Sequence, residues 1–132
     1  MTFYSYPLLT LTMKWLAILF TMFILLIIVA ADAGVLSRYL GFLHHFPFGD
    51  KVGHFILYGI LALLINLTFY RAFPDQSRKL LAVKCGLILI LLIGLEEFSQ
   101  QYFASRSFDL VDLSFSYMGV VCFSWVAVKT KK

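Results

Sequence analysis

Charge is scarce in this chain. Charged residues make up 14% of its 132 positions, against 61% apolar ones, where a soluble domain carries about 25% and about 45–50%. A water-soluble fold of this length could not hide so many Leu, Ile and Phe side chains, so a bilayer is the expected solvent. Cysteine is nearly absent as well. Cys85 and Cys122 both sit in apolar runs without metal-type spacing, which makes them small packing residues rather than a disulfide or zinc framework. No HExxH and no GxSxG occurs, so the usual zinc-protease and serine-hydrolase signatures are missing. Repeats, low-complexity tracts and long linkers are missing too. The net charge of +4 is no nucleic-acid signal, because its basic residues flank apolar runs; neither a nucleic-acid partner nor a cofactor is expected.

What is present is a series of four apolar runs: Met13 to about Ala31, Gly53 to Tyr70, Leu80 to Leu95 with helical continuation towards Phe103, and Leu110 to Val128. Each is near the ~20 residues that carry a helix across a ~30 Å hydrocarbon core. None alternates as a membrane barrel strand does. The expected fold is all-α, an integral membrane four-helix bundle. It occupies residues 13–128, after a tail at 1–12 and before a basic tail at 129–132. Ala72-Phe73-Pro74-Asp75 reads as the turn between the second and third helices. Lys14, the stretch Trp15 to Val29 and Ala31-Asp32-Ala33 also resemble a cleavable signal peptide. The retained helix is the preferred reading, because it keeps the number of crossings even and gives the second helix a partner.

Basic residues set the orientation. Lys14, Arg71, Arg78, Lys79, Lys84, Lys129, Lys131 and Lys132 fall on one side of the bundle. Arg38, Lys51 and Arg106 fall on the other, together with every acid except Asp75. The positive-inside rule then puts both termini in the cytoplasm and the acidic side outside the cell membrane.

Polar residues gather towards the acidic end. With Lys84 at the inner boundary, Glu96 lies about 18 Å further along its helix, roughly 10 Å below the outer edge of the core. Carboxylates at that depth normally face a bundle interior, a partner or water. Helical spacing puts Asp50, Lys51, His54 and Tyr58 on one face of the second helix. Glu96, Glu97, Gln100 and Gln101 share an arc of the third. Asp109, Asp112, Ser116 and Gly119 share a face of the fourth, where Ser116 and Gly119 are small enough to admit a neighbouring helix. Faces at one level are expected to meet in an outward-facing polar pocket that also holds Arg106. The structural alternative is a set of ion pairs, such as Lys51 or Arg106 with Glu97 or Asp112, that only lock the bundle. His44-His45 reads as an interfacial loop pair, and no metal site is expected.

These residues resemble a known family. Asp50-Lys51-Val52-Gly53-His54-Phe55-Ile56-Leu57-Tyr58, then Glu96-Glu97-Phe98-Ser99-Gln100, then Arg106-Ser107-Phe108-Asp109-Leu110-Val111-Asp112 and Gly119 are similar to the VanZ-like membrane proteins, whose pattern is roughly DKxxHxxxY, EExxQ, RxxDxxD and NxxG. The match runs from Asp50 to Gly119, about half of the 132 residues. Ser116 stands where the pattern has Asn; it keeps a hydroxyl but lacks the amide's paired donor and acceptor. The resemblance implies a protein of the cell envelope. The family takes its name from a member linked to resistance to teicoplanin, a glycopeptide that targets lipid-linked peptidoglycan precursors. It points to Asp50, Lys51, His54, Tyr58, Glu96, Glu97, Gln100, Arg106, Asp109 and Asp112, the residues that helical spacing also selects.

The leading expectation is a protein that binds or modifies an envelope lipid, an amphiphilic antibiotic or a lipid-linked precursor. In an enzyme, Glu96 or Glu97 would be the general base and His54 or Tyr58 the proton donor. Lys51 and Arg106 would clamp an anion. Asp50, Gln100, Asp109, Asp112 and Ser116 would complete the binding surface. One alternative is a small transporter; the first helix, however, carries only Asp32, at its end. Another is a non-catalytic membrane scaffold subunit, and a protein partner or homo-oligomer is compatible with these faces. Fusion reporters test the topology. Both termini are predicted to report cytoplasmic, and insertions near Phe46 and Ser105 external. A cytoplasmic signal at Phe46 would invert the arrangement.

Overall fold

A computed structural model describes residues 6–35, 49–103 and 109–130. They form four helices: α1 (Tyr6–Asp32), α2 (Gly49–Ala72), α3 (Arg78–Ser99) and α4 (Leu110–Lys129). A 3-10 turn, Gln100–Tyr102, extends α3. No strand occurs among the described residues. The helices have 27, 24, 22 and 20 residues. At about 1.5 Å per residue each is long enough for a ~30 Å core.

Local chemistry sets the helix ends. α1 starts earlier than its apolar run, with Pro7 in the first turn, where a missing N–H leaves no bond unmade. It ends just before Gly34, whose φ of 79° suits a residue without a Cβ. α2 runs to Ala72, and a turn follows in which the Gln76 amide donates to the Phe73 carbonyl (3.2 Å). Ser77 caps α3 by accepting from the Leu80 amide, and Asp109 caps α4 by accepting from the Val111 amide (2.8 Å).

The bundle is apolar outside as well as inside. Leu19, Phe23 and Leu26 on α1, Leu87, Ile88, Leu91 and Leu92 on α3, and Val121 and Trp125 on α4 are all exposed. Apolar surface that continuous is unsuited to water and suited to lipid. By length and composition α1, α2 and α4 can cross a membrane. α3 falls outside that set because Lys84, Glu96 and Glu97 lie along it.

α2 is the central helix, packing against α1, α3 and α4. The core joins Ile24 of α1, Tyr58, Leu61 and Ala62 of α2, Leu89 and Ile93 of α3, and Val120 of α4. Signal-peptide cleavage after α1 would strip Ile24, Phe20 and Ile28 from this packing. The Thr68 hydroxyl donates to the Leu64 carbonyl of its own helix (2.7 Å) and lies 3.3 Å from the Met13 carbonyl, while Ile24 packs with Tyr58 and Leu61, so α1 runs antiparallel to α2. The closest pair is α2 with α4, and it is parallel. α4 buries Ser116, Gly119, Val120, Ser124 and Ala127 along one stripe, the small-residue spacing that lets membrane helices approach. A Cβ on Gly119 would overlap the carbonyl oxygen of Phe55, and one on Gly59 would overlap the Phe123 ring. Further along, the Asn66 amide donates to the Ser124 hydroxyl (3.1 Å) and to the Ala62 carbonyl (2.7 Å).

At the basic end Arg78 ties three helices together. Its guanidinium donates to the carbonyl of Thr130, just past α4, and lies 5.1 Å above the Tyr70 ring of α2.

Two glycine substitutions separate close packing from helix propensity. Gly119→Ala should lower resistance to unfolding by about 1–3 kcal/mol, because backbone must move to admit the methyl. Gly86 has open space around its Cα, so Gly86→Ala should leave stability unchanged or slightly raise it. Helix content followed during denaturant titration of both variants in detergent checks the contrast.

Candidate functional site

Helix direction brings the polar residues to one end. α2 and α4 begin there and α3 finishes there. The expected faces do meet. Lys51 Nζ of α2 stands 3.3 Å from Asp112 Oδ1 of α4, in ion-pair range without an aligned hydrogen bond. His54 lies one turn below, its Nε2 4.0 Å from Asp112 Oδ2 and its Nδ1 3.2 Å from the Ser116 hydroxyl. The Tyr58 hydroxyl donates to Glu96 Oε2 (3.2 Å) of α3, and Gln100 Nε2 donates to Glu96 Oε1 (2.9 Å).

Ser116 bridges the histidine to the backbone of α4. The Ser116 hydroxyl donates to the Asp112 backbone carbonyl (3.1 Å). That hydrogen can equally go to His54 Nδ1 at 3.2 Å, so Ser116 links the ring to the Asp112 backbone with either tautomer. Nε2 faces the Asp112 carboxylate, so a ring that carries both protons forms an ion pair across the two helices. Ser116, His54 and Asp112 have the composition of a nucleophilic triad but not its geometry. Ser116 is fully buried, so no reacting carbonyl can approach Oγ.

Glu97 has a different job from its neighbour. Adjacent residues on a helix point about 100° apart, so Glu96 turns to Tyr58 while Glu97 turns to the start of α4. Glu97 is 1% exposed, and its Oε1 accepts from the Asp109 amide (3.2 Å). Asp109 is the N-cap of α4. In a capping box the third residue of the same helix would reach back to that amide. Here the third residue is Asp112, which is turned towards Lys51 and His54 instead. A glutamate from another helix takes its place, and Asp112 is thereby released to the site. Both α4 carboxylates also sit at the positive end of a helix dipole.

Burial divides the expected residues. Tyr58, Glu97, Gln100 and Ser116 are buried. The side chains of Lys51, His54 and Asp112 keep 23%, 20% and 18% of their exposure, and Glu96 and Asp109 are likewise only half-buried, so the accessible edge includes these five. Gln101 is exposed and makes no described bond to the network. Asp50 falls in the first turn of α2; its side chain, Arg106, Arg38, His44 and His45 lie outside the described residues. Among the described residues no three His, Cys, Asp or Glu side chains converge as a metal site. The sequence reading passed over Asn66 and Ser124. Their signal was an amide and a hydroxyl inside otherwise apolar spans, the pattern that marks interhelical hydrogen bonds. In comparisons with known proteins, no family profile, no curated protein and no solved structure matches this chain.

The Glu97 contact is testable by exchange. Glu97→Leu leaves the Asp109 amide without that acceptor and should cost about 1–3 kcal/mol. Glu97→Gln keeps an acceptor oxygen and should cost less. Hydrogen–deuterium exchange at the start of α4 should accelerate strongly in the first variant and weakly in the second. Equal acceleration would remove the capping role.

Proposed function

We propose that this chain is a VanZ-like protein of the cell membrane that binds the polar head of an amphiphilic envelope molecule at its outer face. The candidate ligands are an envelope lipid, a lipid-linked precursor and an amphiphilic antibiotic. In this reading both termini are cytoplasmic. α3 crosses together with the helices it packs between, since it starts at their basic end and finishes at their polar end.

The observation that carries the reading is the placing of Lys51, His54 and Asp112. All three are partly exposed, as are Glu96 and Asp109, whereas Tyr58, Glu97, Gln100 and Ser116 are buried. A purely structural lock has no need to keep a cation and a titratable ring at its accessible edge. An anionic head group would meet Lys51 and a protonated His54, each held in place by Asp112, at the joint N-termini of α2 and α4. Glu96 and Glu97 are occupied by hydrogen bonds, which favours binding over a mechanism that uses either as an accessible base.

The test uses the full chain in nanodiscs, titrated with fractionated, labelled envelope lipids. His54→Gln keeps a hydrogen-bonding partner for Ser116 but cannot titrate near neutral pH. It should insert with normal helix content and bind about ten-fold more weakly, the loss of one hydrogen bond to a charged group. Lys51→Gln should behave alike. Undiminished binding in both variants across a pH series would sink this site, and absence of binding in the wild type would favour the scaffold reading.

A further inference from the structure

A groove of ≈ 350 Å³ opens between α3 and α4 at the basic end of the bundle, opposite the polar network. Lys79, Ala82 and Val83 form one wall, and Trp125, Val128 and Lys129 the other. The walls are apolar and the two lysines stand where the helices reach the membrane boundary. Val83 and Trp125 are exposed on the lipid-facing surface, so an occupant can enter sideways from the bilayer.

Among the described residues the charges here lack a counterpart. Among the described residues neither Lys79 nor Lys129 makes an ion pair; Lys129 Nζ lies 5.7 Å from the Trp125 ring. The single acid at this end, Asp75, is exposed in the turn before α3. The start of α3 adds to the imbalance. A helix N-terminus is the positive end of its dipole and favours acidic side chains. The first turn of α3 has none and carries Arg78 and Lys79 instead. Arg78 is already engaged with Thr130 and Tyr70, which leaves Lys79 and the helix end facing the groove.

We propose that this groove is a binding site for an anionic phospholipid. The phosphate of the head group lies between Lys79 and Lys129, close to the N-terminus of α3. The glycerol backbone begins beside Val128, next to Lys129, and one acyl chain runs along Ala82 and Val83. Trp125 sits at the level of the glycerol backbone, where indole rings concentrate in membrane proteins. Basic recesses between membrane helices are where anionic head groups are held. The lateral opening selects a lipid over a soluble anion or an acidic peptide, because the occupant must keep its tail in the bilayer. The site is independent of the function proposed for the opposite end.

Trp125 supplies the readout. In a Trp15→Phe background it is the remaining tryptophan of the two in the chain. The full chain is reconstituted in phosphatidylcholine vesicles doped with tail-brominated phosphatidylglycerol, or with equally brominated phosphatidylcholine. Quenching of Trp125 should show a preference of roughly five-fold or more for phosphatidylglycerol, the worth of about one lysine near the surface. Lys79→Gln combined with Lys129→Gln should abolish the preference. Lys84→Gln removes a charge outside the groove lining and should retain it. Ala82→Phe, which fills the groove without altering charge, should reduce quenching by phosphatidylglycerol. Equal quenching by both lipids in the parent protein would overturn the proposal. So would a preference that survives the double variant, one lost equally in Lys84→Gln, or one indifferent to Ala82→Phe.

Discussion

Phe55 lays its backbone carbonyl against the α-carbon of Gly119, and the axes of α2 and α4 are brought together at the level where the polar residues begin. His54 precedes Phe55, and Ser116 lies one turn before Gly119, so the ring and the hydroxyl come within hydrogen-bonding distance. One further turn towards the helix ends, Lys51 meets Asp112. A larger residue at 119 would separate these partners before it disturbed anything else. The polar network is therefore a product of close helix packing, and the favourable charges alone would not assemble it.

The parallel arrangement of α2 and α4 adds an electrostatic consequence. Both helices direct their positive dipole ends at the same region, and α3 delivers two carboxylates to it. Glu97 turns one of these towards the first amide of α4, a site that a side chain of α4 itself would ordinarily serve. That exchange explains how Asp112, in the first turn of α4, is available to Lys51 and His54. Burial then grades the network, from a closed inner part around Glu97, Gln100 and Ser116 to an accessible edge that includes Lys51, His54 and Asp112.

Much of this was legible in the residues. Apolar run lengths located the helices, because a bilayer imposes one length on every crossing. The i, i+3 and i+4 offsets put Lys51, His54 and Tyr58 on one face and Asp109, Asp112 and Ser116 on another, and those faces meet. Other features needed coordinates. Glu96 and Glu97 look equivalent as neighbours, and only the position of α4 decides that one holds Tyr58 and the other an N-cap amide. Asn66 and Ser124 lie 58 residues apart, so no local pattern joins them. The start of α1 at Tyr6 was missed because its first turns lack the hydropathy that marked the rest.

The pairing of α2 with α4 has a bearing on how the chain is made. His54 finds Ser116 only 62 residues later, after α3 and the turn before it have been synthesised. α2 therefore enters the bilayer well before its main partner exists. During that interval Asn66 has only its own helix to bond to, through the Ala62 carbonyl, and the edge that will receive Gly119 faces lipid. Of the described helices, α1 alone precedes it, packed antiparallel along α2. The first helix thus accompanies the second through assembly, shielding one side of a segment whose other side stays unmatched until the last helix arrives.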